Sequence, residues 1–182
     1  QLGVEIKEEN GNIKCASNNL NGTEIVLDFP SVGATENIML ASSLANGTTY
    51  IRNVAREPEI RSLQDFLNSM GAQISGAGSN TIVIKGVSKL HDTTYKVIPD
   101  RIEAGTYVIL GALTGNKLRI SNIIPEHIEM LLSKMTEMGV DMEIGDDYVV
   151  VSKTNDLKPV NIKTLGYPGF PTDLQQPVTT LL

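Results

Sequence analysis

The feature that most constrains this chain is a repeat. Leu2-Gly3-Val4-Glu5-Ile6, Met70-Gly71-Ala72-Gln73-Ile74 and Met138-Gly139-Val140-Asp141-Met142 echo one another, with their glycines 68 residues apart in both intervals. That period is too long for a typical solenoid and suits a supersecondary unit of several elements.

The first full copy reads as a strand (residues 25–27), a helix (33–45), a strand (48–53), a second helix and a hairpin. Arg56-Glu57-Pro58-Glu59 opens the second helix, because proline suits the first turn and acids favour the positive end of the helix dipole. Ile60, Leu63, Leu67 and Met70 follow helical spacing, and Gly71 supplies the stop. Strands at 72–75 and 81–85 flank the turn Gly76-Ala77-Gly78-Ser79-Asn80.

The second copy runs in the same order: a strand at 95–98, the link Pro99-Asp100-Arg101, and a helix over 102–113 in which Asp100 and Glu103 are spaced as a capping box. A strand at 117–121 follows, then a helix opened by Pro125 with Ile128, Leu131, Leu132, Met135 and Met138 on its apolar face. The hairpin turns at Gly145-Asp146-Asp147. Both copies predict one β-α-β-α-β-β plan. The ends fit it only as pieces, since Gln1-Leu2-Gly3 matches the close of a second helix. Residues 160–163, the loop 166–173 and residues 174–182 match a first strand and an unfinished first helix. The expectation is a fragment of a longer protein.

Composition excludes several classes. With no tryptophan and 4% aromatic residues, the core must come from Ile, Val, Leu, Met and Ala. A formal charge of -6 argues against a nucleic-acid surface, although Arg56 and Arg101 leave anionic small molecules accessible. No apolar run approaches a membrane span, so no membrane partner is expected. The single cysteine cannot form an internal disulfide, which favours a cytoplasmic setting. Cys15, in Gly11-Asn12-Ile13-Lys14-Cys15-Ala16, reads as a buried or half-buried strand residue. His91 and His127 belong to no cluster at metal spacing, and no dinucleotide or P-loop fingerprint occurs, so neither metal nor cofactor is expected.

Pro30-Ser31-Val32-Gly33-Ala34-Thr35 links the strand at 25–27 to the following helix. Unpaired N–H groups and the helix dipole make such a loop a ready anion site. Taken alone it reads first as an ordinary capped turn, with Ser31 as N-cap and Gly33 as a permissive loop residue.

Four strings, in order along nearly the whole chain, resemble the enolpyruvyl transferases, and among them the branch that acts on UDP-N-acetylglucosamine in bacterial peptidoglycan (cell wall) synthesis. They are Ser31-Val32-Gly33-Ala34-Thr35, Ala55-Arg56-Glu57-Pro58-Glu59-Ile60, Pro99-Asp100-Arg101-Ile102-Glu103-Ala104-Gly105-Thr106 and Pro168-Gly169-Phe170-Pro171-Thr172-Asp173-Leu174-Gln175. The resemblance implies an α/β (α+β) fold, an inverse α/β prism of two lobes built from β-α-β-α-β-β units. Residues 1–98 would hold the end of one repeat plus a complete repeat of the first lobe. Residues 99–182 would hold a complete repeat plus the start of the next in the second lobe.

The resemblance also implies chemistry: the enolpyruvyl group of phosphoenolpyruvate moves to the 3-hydroxyl of the sugar by addition and elimination. Asp173 matches the residue that engages that hydroxyl as base; by position alone it is also a plausible N-cap. Pro30, Ser31, Val32 and Gly33 match the contact with the nucleotide diphosphate. The family often has a lysine near the start of this loop, where this chain has Phe29-Pro30 and so one cation fewer. Glu57 and Arg101 lie in matched motifs but also suit structural roles, Glu57 decorating a helix start and Arg101 pairing with a nearby acid. The family's catalytic cysteine lies upstream of the matched segment, and Cys15 does not correspond to it. The full-length enzyme is expected to be a monomer, and this piece inactive alone. The alternative is a non-catalytic folding or interaction module with the same repeat, prone to self-association.

Overall fold

The computed structural model describes residues 2–114 and 116–182. The chain divides into two units, Gln1–Val97 and Ile98–Leu182, each around its own buried apolar cluster.

In the first unit, β1 (Glu5–Glu9) and β2 (Asn12–Ala16) form a separate hairpin. There follow β3 (Glu24–Val26), α1 (Val32–Ser42), β4 (Thr48–Arg52), α2 (Pro58–Ser69), β5 (Gln73–Ser75) and β6 (Thr81–Lys85). The sheet order is β3-β4-β6-β5, parallel between β3 and β4 and antiparallel elsewhere. Register aligns Ile25 with Ile51 and Ile51 with Ile82, while Ile84 lies opposite both Thr49 and Ile74. All six are buried, so the period of two places one face of every strand in the core. Met39 of α1 and Ile60 of α2 are fully buried in that unit. At the sheet edge the Asn68 side chain donates to the Ile74 carbonyl and accepts from the Ile74 amide, both at 2.8 Å.

The second unit contains α3 (Arg101–Thr114), β7 (Leu118–Ser121), α4 (Glu129–Met138), β8 (Met142–Ile144), β9 (Tyr148–Val151) and α5 (Gln175–Thr179). Pro125–Ile128 forms a 3-10 turn ahead of α4, and Gly139 ends α4 at φ +89. The sheet order β7-β9-β8 repeats that of β4, β6 and β5. Its core joins Val108 and Ile109 of α3 to Leu131, Met135 and Met138 of α4, with Val149, Val151, Phe170 and Leu174.

Three expectations fail. Residues 95–98 form no strand. Tyr95 instead packs against Phe66 of α2, with ring centroids 5.5 Å apart, and its hydroxyl lies 3.2 Å from Ser62 Oγ. A helix surface thus takes the side chain that the repeat plan assigned to a sheet. Residues 160–163 are also irregular: Val160 and Ile162 pack against the core, but their backbones join no ladder. Cys15, third, is exposed. It faces Ile6 across a hairpin that turns through Asn10 and Gly11 at φ +52 and +76, and every residue of both strands is exposed. Among the described residues this two-stranded ladder pairs only with itself, so no second layer covers the thiol.

Candidate functional site

Ser31 forms the cap that its sequence position allows. Its Oγ accepts from the Ala34 amide at 3.2 Å, and its extended backbone (φ -77, ψ 127) leads into α1. The Val32 and Gly33 amides, at the first positions of the helix, have no acceptor within it. A Cβ built on Gly33 would meet no atom within 4 Å, so the loop backbone is open to an approaching group. Pro30 is half-buried beside it. Capping and anion binding are compatible here, since the cap uses the Ser31 hydroxyl and leaves two N–H groups of the positive helix end unpaired.

The second matched loop is tied to the first. Thr35, fully buried, donates through Oγ1 to the Ser31 carbonyl at 2.8 Å and accepts from the Ala55 amide at 3.2 Å. Beyond Ala55, Arg56 is exposed and Glu57 is buried, 8% exposed, at the N-cap position of α2 without a side-chain capping bond. Glu57 therefore does more than decorate an exposed helix start. Thr35 closes the first matched string, but nothing in the sequence signals its tie to Ala55.

Burial, and then the Glu59 carboxylate, push the Glu36 carboxyl above its ordinary value of 4.5. The folded state therefore holds this proton to higher pH than the unfolded chain does. The resulting stability is fully present below the unfolded value and is lost as pH rises through the folded one. Glu36→Gln is expected to remove that slope, and Glu59→Gln to bring the Glu36 carboxyl closer to its ordinary value. Carboxyl-carbon NMR titration of Glu36, with melting curves above and below pH 4.5, measures both.

In the second unit Asp100 Oδ1 caps α3, accepting from the Ile102 amide at 2.7 Å and the Glu103 amide at 3.2 Å. Arg101, the first helical residue, stands 6.0 Å from the centroid of the Tyr167 ring, which places the start of α3 beside the Pro/Gly-rich loop. That loop carries a cis Tyr167-Pro168 peptide and ends in the 3-10 turn Thr172–Leu174. The N-cap of the turn is Pro171, and no side chain caps it. Asp173 is exposed and makes no hydrogen bond or ion pair among the described residues. The capping role open to it in the sequence is not taken up, and its carboxylate is available. Leu174, next to it, is fully buried against Gly105 of α3, where a Cβ would come within 2.5 Å of Leu174 Cδ1. A glycine in mid-helix thus lets the turn that carries Asp173 seat closely on α3.

A cleft of about 310 Å³ lies at the start of α3, lined by Asp100, Glu103, Tyr107, Ser121 and Asn122 among others; neither Arg101 nor Asp173 lines it. Among the described residues no three His, Cys, Asp or Glu side chains gather where they could hold a metal ion.

The family model for EPSP synthase (3-phosphoshikimate 1-carboxyvinyltransferase) matches residues 1–182. The chain belongs to the EPSP synthase family. Curated relatives include UDP-N-acetylglucosamine 1-carboxyvinyltransferase 2 of Caldanaerobacter subterraneus subsp. tengcongensis, 56% identical over the whole of this chain and 44% of its own length. The enzyme of the same name from Bacillus subtilis is 53% identical over the whole of this chain and 42% of its own. The chain thus spans less than half the length of these relatives. Among solved structures, the enolpyruvyl transferase NikO from Streptomyces tendae superposes with a TM-score of 0.84 at 27% identity, over 99% of this chain and 46% of that one. EPSP synthase from Acinetobacter baumannii superposes at 0.64 and 19% identity, over 89% of this chain and 39% of that one, a likeness of fold. The EPSP synthase-type fold is accordingly the one that the 68-residue repeat builds here. No helix among the described residues is long and apolar enough to cross a membrane.

Proposed function

We propose that this chain works as part of an enzyme that transfers the enolpyruvyl group of phosphoenolpyruvate to the 3-hydroxyl of UDP-N-acetylglucosamine, the first committed step of peptidoglycan synthesis, in the cytoplasm. The observation that carries the reading is that relatives 52–56% identical across the whole chain are named UDP-N-acetylglucosamine 1-carboxyvinyltransferases. The two units would belong to two lobes, with residues 1–98 in the first and 99–182 in the second.

On this reading the Val32 and Gly33 amides and the adjoining Pro30 and Ser31 receive the diphosphate. Asp173 takes the proton of the sugar 3-hydroxyl as its oxygen bonds to C2 of phosphoenolpyruvate, while an acid supplied from outside this chain protonates C3. Loss of a proton from the new methyl group then restores the double bond and expels phosphate. Its contribution comes from placement beside the reacting hydroxyl. Glu57, two residues beyond the Ala55 amide held by Thr35, and Arg101, near the Tyr167 ring, are candidate supports of the two contacts.

The test is a titration with UDP-N-acetylglucosamine followed by amide NMR. Saturable shifts at residues 31–33, reduced in Ser31→Ala, are expected. In a chain extended to the relatives' full length, Asp173→Asn is expected to lower kcat by about 10²–10⁴. The 182 residues alone are expected to release no phosphate above background. A well-folded sample that shows no shift at 31–33, or turnover by this chain alone, would count against this reading.

A further inference from the structure

We infer that Thr35 is a positioning residue that sets the anion-binding loop 30–33 and the loop 55–57 in one rigid frame, so that a nucleotide sugar held on the first loop is registered at Arg56 and Glu57. The inference rests on the reading of loop 30–33 as a nucleotide-sugar contact.

The Thr35 hydroxyl is used in both directions. It donates to the Ser31 carbonyl at 2.8 Å, the same oxygen that accepts the Thr35 amide at 3.0 Å, and it accepts the Ala55 amide at 3.2 Å. Both ends of this relay are constrained further. Ser31 also donates its amide to the Phe29 carbonyl at 2.7 Å and receives the Ala34 amide on Oγ. Ala55, at 1% exposure, has its amide in a place where water cannot replace the threonine. A back-bonding threonine inside a helix ordinarily closes on its own turn. Here the same hydroxyl oxygen also accepts, across 20 residues, from the loop that opens α2. Neither loop can shift along the other without breaking this bond, and the exposed Arg56 and buried Glu57 follow directly on Ala55.

The substitutions that separate this role from packing are Thr35→Val, which keeps the shape and removes the hydroxyl, and Thr35→Ser, which keeps the hydroxyl and removes a methyl. In the ligand-free chain, hydrogen exchange at the Ala55 amide is expected to quicken in Thr35→Val and to stay protected in Thr35→Ser. With UDP-N-acetylglucosamine added to the unsubstituted chain, amides 55–57 are expected to shift with the same midpoint as 31–33. Thr35→Val is expected to weaken binding roughly tenfold and to silence the response at 55–57, and Thr35→Ser to restore both. Shifts at 31–33 with none at 55–57 in the unsubstituted chain would overturn the inference, and this outcome needs no variant to fold. Equal Ala55 exchange in the Ser and Val variants overturns it whether or not the nucleotide binds. Absence of shifts at 31–33 in the unsubstituted chain counts against the nucleotide reading, and with it the ligand-sensing part of the inference; the Ala55 exchange then decides the tie between the loops.

Discussion

Phe170→Ala is expected to lower the stability of the second unit by about 3–5 kcal/mol. The ring is 2% exposed, among the largest fully buried side chains, and packs in the same cluster as Leu174 and Val178. Its truncation removes the transfer free energy of an aromatic side chain and leaves a cavity that the surroundings can fill only in part. The backbone offers little relief, because the Phe170 carbonyl accepts the Leu165 amide at 3.0 Å and so closes the loop on itself. Against a total of about 5–15 kcal/mol for a typical domain, a loss of this size leaves a substantial unfolded fraction. Urea unfolding followed by circular dichroism should show a lower midpoint with an unchanged slope, and Phe170→Leu should recover most of the loss. A change below about 1 kcal/mol would show that the ring does not anchor the loop. Asp173 lies three residues beyond, so the same substitution is expected to blur the position of its carboxylate.

Gly86→Ala is the corresponding lesion in the first unit, with an expected loss of about 3 kcal/mol. A Cβ at this position would stand 1.7 Å from the Ala45 carbonyl oxygen and 2.8 Å from the Ala45 carbonyl carbon. Those are backbone atoms, and they cannot swing aside as a side-chain tip can. The crossing is held on both sides: the Gly86 amide donates to the Gly47 carbonyl and the Val87 amide to the Ser43 carbonyl, each at 2.9 Å. The segment leaving β6 therefore runs in contact with the end of α1, and an added methyl must push the two apart. Gly33→Ala is the control, because a Cβ there meets nothing within 4 Å and alanine favours the helix. Thermal melts of the two variants should diverge, Gly86→Ala falling by several degrees and Gly33→Ala holding or rising. Equal melting temperatures would show that the strand exit and helix end are not in contact.

What could be read from the sequence was what neighbours in the chain decide. The spacing of Ile60, Leu63, Leu67 and Met70 is enough to make α2, and Gly71 at φ +97 is enough to end it. The hairpins at 73–85 and 142–151 follow from short alternating runs around small-residue turns. The failures lie where a distant partner decides. Tyr95 falls where the repeat plan puts a strand, but Phe66 and Ser62 on α2 offer its ring and hydroxyl a better place than a ladder does. Cys15 sits in a strand with the right pattern, yet whether a strand residue is buried depends on a layer lying over it, which the strand itself does not encode. In the candidate site, Ser31 announced itself as a cap because capping is local. Thr35 did not, because the bond that gives it importance runs to Ala55. Asp173 could be read as a cap or as a free carboxylate, and only the placement of Pro171 at the N-cap separates the two.

The side chain of Asn68 has a consequence for how this molecule meets others. β5 is the last strand of its sheet and only three residues long, and the backbone groups that such a strand turns outward invite strand addition by another chain. Asn68 occupies both the amide and the carbonyl of Ile74, the central residue of that strand, with the two ends of one carboxamide. The helix that covers the sheet thereby supplies a side chain that imitates the missing neighbour. An incoming strand would have to displace a matched pair of hydrogen bonds before it could form its own, which gives this sheet a built-in resistance to polymerisation along that border.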